Sequence, residues 1–368
     1  MDGDGDLDII SATAEDDTIA WYENDGGVNP TFTAADIATT ADQARNVHIA
    51  DMDGDGDLDI VSASLDDDTI AWYENDGAAN PTFTAADIAT TADGAAHVYV
   101  ADLDNDGDLD IVSASSADDT IAWYENNGAA NPTFTAADIA TTADFASDIF
   151  LADLDGDGDM DIISSSYLDD TIAWYESDVA QNNDRAVMAQ AGVDYTATSG
   201  TLTFSPGETS KTFTVTVAED TLVENDESIV LALSNSTNAT ISDPSGSVVI
   251  TNDETITFTA ADIATSADGA WSVKAGDLDG DGDIDLVSGS YNDDTIAWYE
   301  NDGGINPTFT AANIATSADG ARGVHLVDLD RDGDLDIVSA SSNDDTIAWY
   351  ENNGAADPTF TAANIATS

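Results

Sequence analysis

The chain has 368 residues, six Lys and Arg against 75 Asp and Glu, a formal charge of -69 and no cysteine. That balance excludes nucleic acid and anionic membrane as partners by repulsion, and the missing thiols exclude disulfides and thiolate metal sites. At 42% hydrophobic the chain can still bury a core, and its acid is mostly Asp, which points to turns and oxygen-ligand metal loops. No stretch is long and apolar enough to span a membrane, and no signal peptide is evident. Met1 falls inside a repeat motif, so the chain reads as part of a longer parent with other domains.

From the start of the chain, one block recurs. The pattern D-x-D-x-D-G-D-x-D begins at Asp51, Asp102, Asp153, Asp277 and Asp328, and Asp2 to Asp8 is a sixth copy entered two positions in. Successive starts lie 51 residues apart, except for 124 between Asp153 and Asp277, which is one period plus 73. Six repeats follow, the fourth with an insertion.

Repeat two shows the unit. The apolar stretch Val47 to Ala50 enters the Asp loop, Leu58 to Ser64 leaves it, and Asp66 to Asp68 make a turn. Thr69 to Glu74, a Gly/Asn/Pro loop and Thr82 to Ile88 complete four short β-segments. The predicted fold is all-β: a β-propeller of six four-stranded repeats, the first incomplete. Domain boundaries fall at 1–178, 179–253 and 254–368. The column Trp21, Trp72, Trp123, Trp174, Trp298 and Trp349 is expected to pack blade on blade, with the adjacent tyrosines and Glu23 and Glu74 sharing that role.

Within Asp51-Met52-Asp53-Gly54-Asp55-Gly56-Asp57-Leu58-Asp59, carboxylates at positions 1, 3 and 5 converge if the backbone turns tightly at the glycine. The carbonyl of Asp57 and the carboxylate of Asp59 would complete an oxygen shell suited to Ca2+. The same positions recur as Asp102, Asp104, Asp106, Asp108 and Asp110, and as Asp153, Asp155, Asp157, Asp159 and Asp161. They recur again as Asp277, Asp279, Asp281, Asp283 and Asp285, and as Asp328, Asp330, Asp332, Asp334 and Asp336. Repeat one keeps only Asp2, Asp4, Asp6 and Asp8, so its site is expected to be weaker or empty. Asn105 and Arg331 stand at position 4, which is not a ligand position. An EF-hand is excluded, because position 12 is serine, as at Ser62, within a β-type run.

These motifs resemble the FG-GAP or VCBS-type repeats of integrin-α-like propellers. That resemblance implies calcium bound in a hairpin loop of each blade.

Residues 179–253 break the repeat between the third and fourth strands of blade four. Strands are predicted at Thr201 to Phe204, Lys211 to Val217, Ser228 to Ser234 and Ser247 to Thr251, giving a small Ig-like β-sandwich. Ala191 to Tyr195, Gly200 to Phe204, Glu219-Asp220 and Glu224 to Glu227 resemble a Calx-beta domain. The resemblance places candidate calcium ligands at Asp194, Glu219, Asp220, Glu224 and Asp253.

Repeats differ most just before each Asp loop. There lie Arg45, His48, His97, Tyr99, Phe150, Trp271, Lys274, Arg322 and His325. The column His48, Tyr99, Phe150, Lys274, His325 is expected on the innermost strand, forming a candidate face for a glycan or an extracellular protein. The reading that follows is a calcium-binding, secreted or cell-surface recognition and cell-adhesion module, not an enzyme. Two alternatives stand beside it: a carbohydrate-active lyase or hydrolase (or its glycan-binding accessory domain) and a structural spacer. Convergence of His48, Lys274 and His325 would favour catalysis.

Overall fold

A computed structural model of the chain describes residues 1–179, 189–192, 194–218, 227–251 and 256–367. It divides into two compact units. The first, Met1–Leu103, Gly107–Ser177 and Phe258–Ser368, is an all-β propeller of six blades.

In blade two, strands Ala44–Ala50, Asp59–Ser64, Thr69–Asn75 and Phe83–Ala89 pair antiparallel in that order. Blades three, five and six repeat this arrangement, and blade four takes its outer strand, Phe258–Ala264, from beyond the insertion. Blade one has three strands, Ile9–Thr13, Thr18–Asn24 and Phe32–Ala38, and no inner strand.

The third strand explains how blades cohere. Its side chains alternate, so Ile70 and Trp72 of blade two, with Val61, pack on Ala95, Val98, Ile111 and Tyr124 of blade three. Ala71 and Tyr73 face the other way, onto Ile19 of blade one. A strand buried on both faces needs an unbroken apolar run, and Ile-Ala-Trp-Tyr supplies one. Each fully buried isoleucine contributes roughly 1.5–3 kcal/mol relative to exposure. The same interface recurs around Trp174 and Trp298. The glutamates do not share this role: Glu23 and Glu74 are only half-buried, and Glu125 and Glu351 are exposed, one residue from the strand end. The outer strand is a wet edge, with Thr84 to Asp87 exposed on both faces.

The inner strands of blades two to six, Ala44–Ala50, Ala95–Ala101, Ala146–Ala152, Ala270–Gly276 and Ala321–Val327, lie side by side in chain order. The facing surfaces of blades six and one are less covered than those between other blades. Ile347 and Ile9 are 37% and 50% exposed, whereas their equivalents Ile70 and Ile60 are fully buried.

The second unit comprises Asp178–Thr257 with Asp104–Asp106. Two antiparallel pairs are described there: Tyr195–Thr196 with Thr216–Val217, and Glu227–Ala232 with Ser245–Ile250. The last two predicted strands coincide with the second pair. Thr201 to Phe204 forms no strand, and Lys211 to Val217 is shortened to its final two residues. Leu202, Phe204 and Phe213 are exposed, so the burial that would turn this alternation into a ladder is missing there.

Candidate metal centres and ligand faces

Each Asp loop joins the inner strand of a blade to the second. In loop two, the carboxylate of Asp51 accepts from the amides of Asp55 (3.1 Å) and Gly56 (2.9 Å), and Asp55 accepts from Asp57 (2.9 Å). This wrapping brings side chains together. Oxygens of Asp51, Asp53 and Asp59 lie within 4.8 Å of one another, as do those of Asp153, Asp155 and Asp161, and of Asp277, Asp279 and Asp285. In loops three and six the clusters are Asp102, Asp104 and Asp106, and Asp328, Asp330 and Asp332. Around Asp2, Asp4, Asp6 and Asp8 no such cluster forms among the described residues; the amino group of Met1 pairs with Asp8 at 2.8 Å.

Positions 7 and 9 do structural work. Asp59 accepts the amides of Asn75 (2.7 Å) and Met52 (3.1 Å), one on each oxygen, which closes the loop onto the blade. Asp110, Asp161, Asp285 and Asp336 repeat this contact with Asn126, Ser177, Asn301 and Asn352. Asp57 lies against Gly77, which has φ 64 and no room for a Cβ beside that carboxylate. Asp6, Asp108, Asp283 and Asp334 sit on equivalent glycines.

The electrostatics leave a vacancy of sign. Burial raises the carboxyls of Asp59 and Asp285 to about 6 and that of Asp161 to about 7. Asp159 rises to about 8 through burial and its neighbour Asp157. Asp53, Asp155 and Asp279 move the same way, chiefly by burial and then by crowding from adjacent aspartates. In loops two, four, five and six no Lys, Arg or His pairs with these carboxylates among the described residues. An all-oxygen donor set without a compensating side chain fits a hard divalent cation, and Ca2+ suits its number and flexibility.

Neighbouring loops are also tied to each other. Asn75 donates its side-chain amide both to Leu58 of its own loop and to Met1 of loop one, each at 3.0 Å. Asn126 bridges loops three and two in the same way, Asn301 loops five and four, and Asn352 loops six and five. Blade four carries Ser177 at this position.

In the inner column, His48 meets Tyr99 with ring centroids 4.7 Å apart, Tyr99 meets Phe150 at 5.4 Å, and Lys274 lies 5.4 Å from the Phe150 centroid. Among the described residues no hydrogen bond joins His48, Lys274 and His325, although both His48 and Lys274 act on the imidazole of His97. Lys274 donates to buried Asp148 at 2.7 Å, and His325 is exposed on the inner strand of blade six. Asp148 also takes Ser272 Oγ (2.9 Å) and the Val273 amide (3.1 Å), and its other oxygen lies 3.0 Å from His97 Nε2. Burial pushes the His97 imidazole down to about 4, against the pull of Asp148.

Trp271 and Arg322 sit elsewhere, at the start of their strands and therefore at the end of the blades opposite the Asp loops. There Phe145, Tyr167, Trp271 and Tyr291 form one cluster, with centroid separations of 5.2 to 6.2 Å. The Arg322 guanidinium lies 4.5 Å from the Trp271 ring and 5.1 Å from Tyr291. Arg45, at the matching place in blade two, is exposed and donates to Gln43 at 3.1 Å. Tyr167 and Tyr291 belong to the turn between second and third strands, outside the variable segment that precedes each Asp loop. Aligning that turn would have found them, since Leu65, Ser116 and Ser342 occupy it in other blades.

In the insertion, Asp194 is buried and its carboxylate accepts the Gln190 amide. Glu219, Asp220, Glu224 and Asp253 lie outside the described residues.

A family model of FG-GAP-like repeats matches residues 1–62, 51–113, 102–164, 229–288 and 277–339, more than half of the chain. A Calx-beta domain model matches 184–255. No curated protein matches the chain at a significant level. Among solved structures, a protein from Lactobacillus plantarum is similar in fold, at 14% identity and TM-score 0.50, over 98% of this chain and 82% of that one. Looser overlaps, uninformative about the site, join it to the periplasmic gluconolactonase of Pseudomonas aeruginosa (10% identity, TM-score 0.43, 95% and 81% covered) and to the V. cholerae biofilm matrix protein Bap1 (14%, 0.39, 100% and 78%).

Proposed function

The chain belongs to the FG-GAP-like repeat family and carries a Calx-beta match, and from that premise we propose that it is a calcium-dependent extracellular recognition or adhesion module. The observation that carries the reading is the recurrence, at one place in each of blades two to six, of three carboxylates whose oxygens lie within 4.8 Å. Calcium is structural in it: the ions neutralise the loops and hold the hairpins, while recognition belongs to side chains that differ between blades. One ion in each of five clusters would offset 10 of the 69 negative charges (five times two). Binding is preferred to catalysis because Lys274 is committed to Asp148 at 2.7 Å and no hydrogen bond joins it to His48 or His325 among the described residues.

The test is metal stoichiometry. Protein at equilibrium dialysis against about 10 mM calcium should hold about five ions per chain above the free concentration, by elemental analysis, if each cluster fills. Asp53→Asn should remove one ion without displacing the others. Retention of none, or equal retention of magnesium, would refute the calcium reading.

A further inference from the structure

We propose that the aromatic cluster on the end of blades four to six opposite the Asp loops is a binding platform for a neutral pyranose polysaccharide. It rests on the recognition reading above and names the ligand class and the residues.

Every member departs from the repeat. Phe145 stands where blades three, five and six have Gly94, Gly269 and Gly320, and it holds the same left-handed backbone, φ 59 against 68 to 72. A bulky side chain in that region is strained, so an aromatic there has been placed at a cost in stability. Trp271 replaces Ala96 and Ser147, and it is the one tryptophan outside the buried blade column.

The rings are fixed in position. Tyr167 leans over Gly269 of the next blade and donates its hydroxyl to Asn292 at 3.1 Å, and Asn292 donates in turn to Asp268 at 3.0 Å. Tyr291, Asn343 and Asp319 repeat the relay at 3.2 and 3.1 Å. All four rings are half-buried, leaving surface to be covered.

These bonds also select the ligand. Both tyrosine hydroxyls are already donating and each asparagine amide spends one of its two N–H groups, so the rim offers the carboxylate acceptors of exposed Asp268 and Asp319, the remaining amide N–H groups and the N–H groups of Arg322. A proline-rich peptide offers mainly carbonyl acceptors, so it could pair with Arg322 but would bring almost no donors to Asp268 and Asp319. A sugar offers many hydroxyl donors, and its C–H faces match aromatic faces. Arg322 has no carboxylate within 4.0 Å among the described residues, so its donors are free for hydroxyls. Polyanions, nucleic acid included, meet the -69 charge of the chain.

The experiment uses substitutions already proven in other blades: Phe145→Gly, Tyr167→Ser, Trp271→Ala, Tyr291→Ser and Arg322→Ala. The calcium-loaded chain is applied to an array of neutral and uronate polysaccharides and polyproline, and retained probes are titrated by tryptophan fluorescence and calorimetry. Neutral pyranose polymers should bind, shift the Trp271 emission, and lose on the order of tenfold affinity in each variant. The rise in melting temperature on adding calcium should be the same in every variant, even where Phe145→Gly relieves backbone strain and raises the melt itself, which separates loss of the platform from failure of the metal sites. Absence of any neutral ligand, preference for uronate or polyproline, or binding indifferent to Trp271→Ala would overturn the proposal.

Discussion

Removing calcium should loosen the propeller severely, and the size of the effect can be worked out. Extracellular calcium modules bind with dissociation constants of about 10⁻⁴ to 10⁻³ M. At about 10 mM free ion, each filled loop then stabilises the folded state by roughly 1.4 to 2.7 kcal/mol through mass action. Five clusters give about 7 to 14 kcal/mol, comparable to the whole stability of an ordinary domain. At about 2 °C or more per kcal/mol, excess EGTA should lower the melting temperature by about 15 °C or more. The assay is a circular-dichroism melt in EGTA, then with calcium restored, then with magnesium or sodium chloride at matched ionic strength. A melt that ignores EGTA, or that sodium restores as well as calcium, would mean the loops respond only to screening, and the reasoning from oxygen clusters would fail.

Three further outcomes follow from individual residues. Arg331 occupies a left-handed position (φ 69) held by glycine in four other loops, so Arg331→Gly should stabilise the calcium-loaded protein by roughly 1 kcal/mol in a denaturant titration. His97 is held neutral to about 4 by burial, below its unfolded value of about 6.5, so its contribution is complete above about pH 6.5 and is lost as pH falls toward 4. His97→Asn, the residue found at Asn46, should flatten that acid limb by up to about 1.4 kcal/mol per pH unit when both proteins are melted in excess calcium. Trp174→Ala should cost about 3 to 5 kcal/mol by opening a cavity between blades four and five, read from the same denaturant curves.

The blades were legible because each element carries its own period: Thr69 to Glu74 alternates between two buried faces, and the Asp loop fixes what lies on either side. The carboxylate clusters could be read because their members are neighbours in sequence. What stayed hidden depends on contacts between blades. Nothing near Asp148 in sequence announces that His97, Ser272 and Lys274 will gather on it, since they sit in two other strands up to 126 residues away. Trp271 and Lys274 are three residues apart, yet one ends on the far end of the blades and the other in the inner column. A single variable segment therefore had to be divided in two. Position 9 belongs to the oxygen cluster in loops two, four and five, and Asp59 also satisfies two backbone amides, a second role set by Asn75 sixteen residues on and not legible in the loop itself.

The asparagine bridges bear on how the ions arrive. Because Asn126 holds the carbonyls of loops two and three together, an ion that orders one loop lowers the entropy left to lose in the next, and occupancy becomes contagious. Blade four has Ser177 in place of the asparagine, so the asparagine bridge itself is missing between loops three and four. Loops one to three and loops four to six then form two linked trios. The chain would fill in two cooperative steps rather than five independent ones, and restoring Ser177→Asn would merge them into a single steeper isotherm.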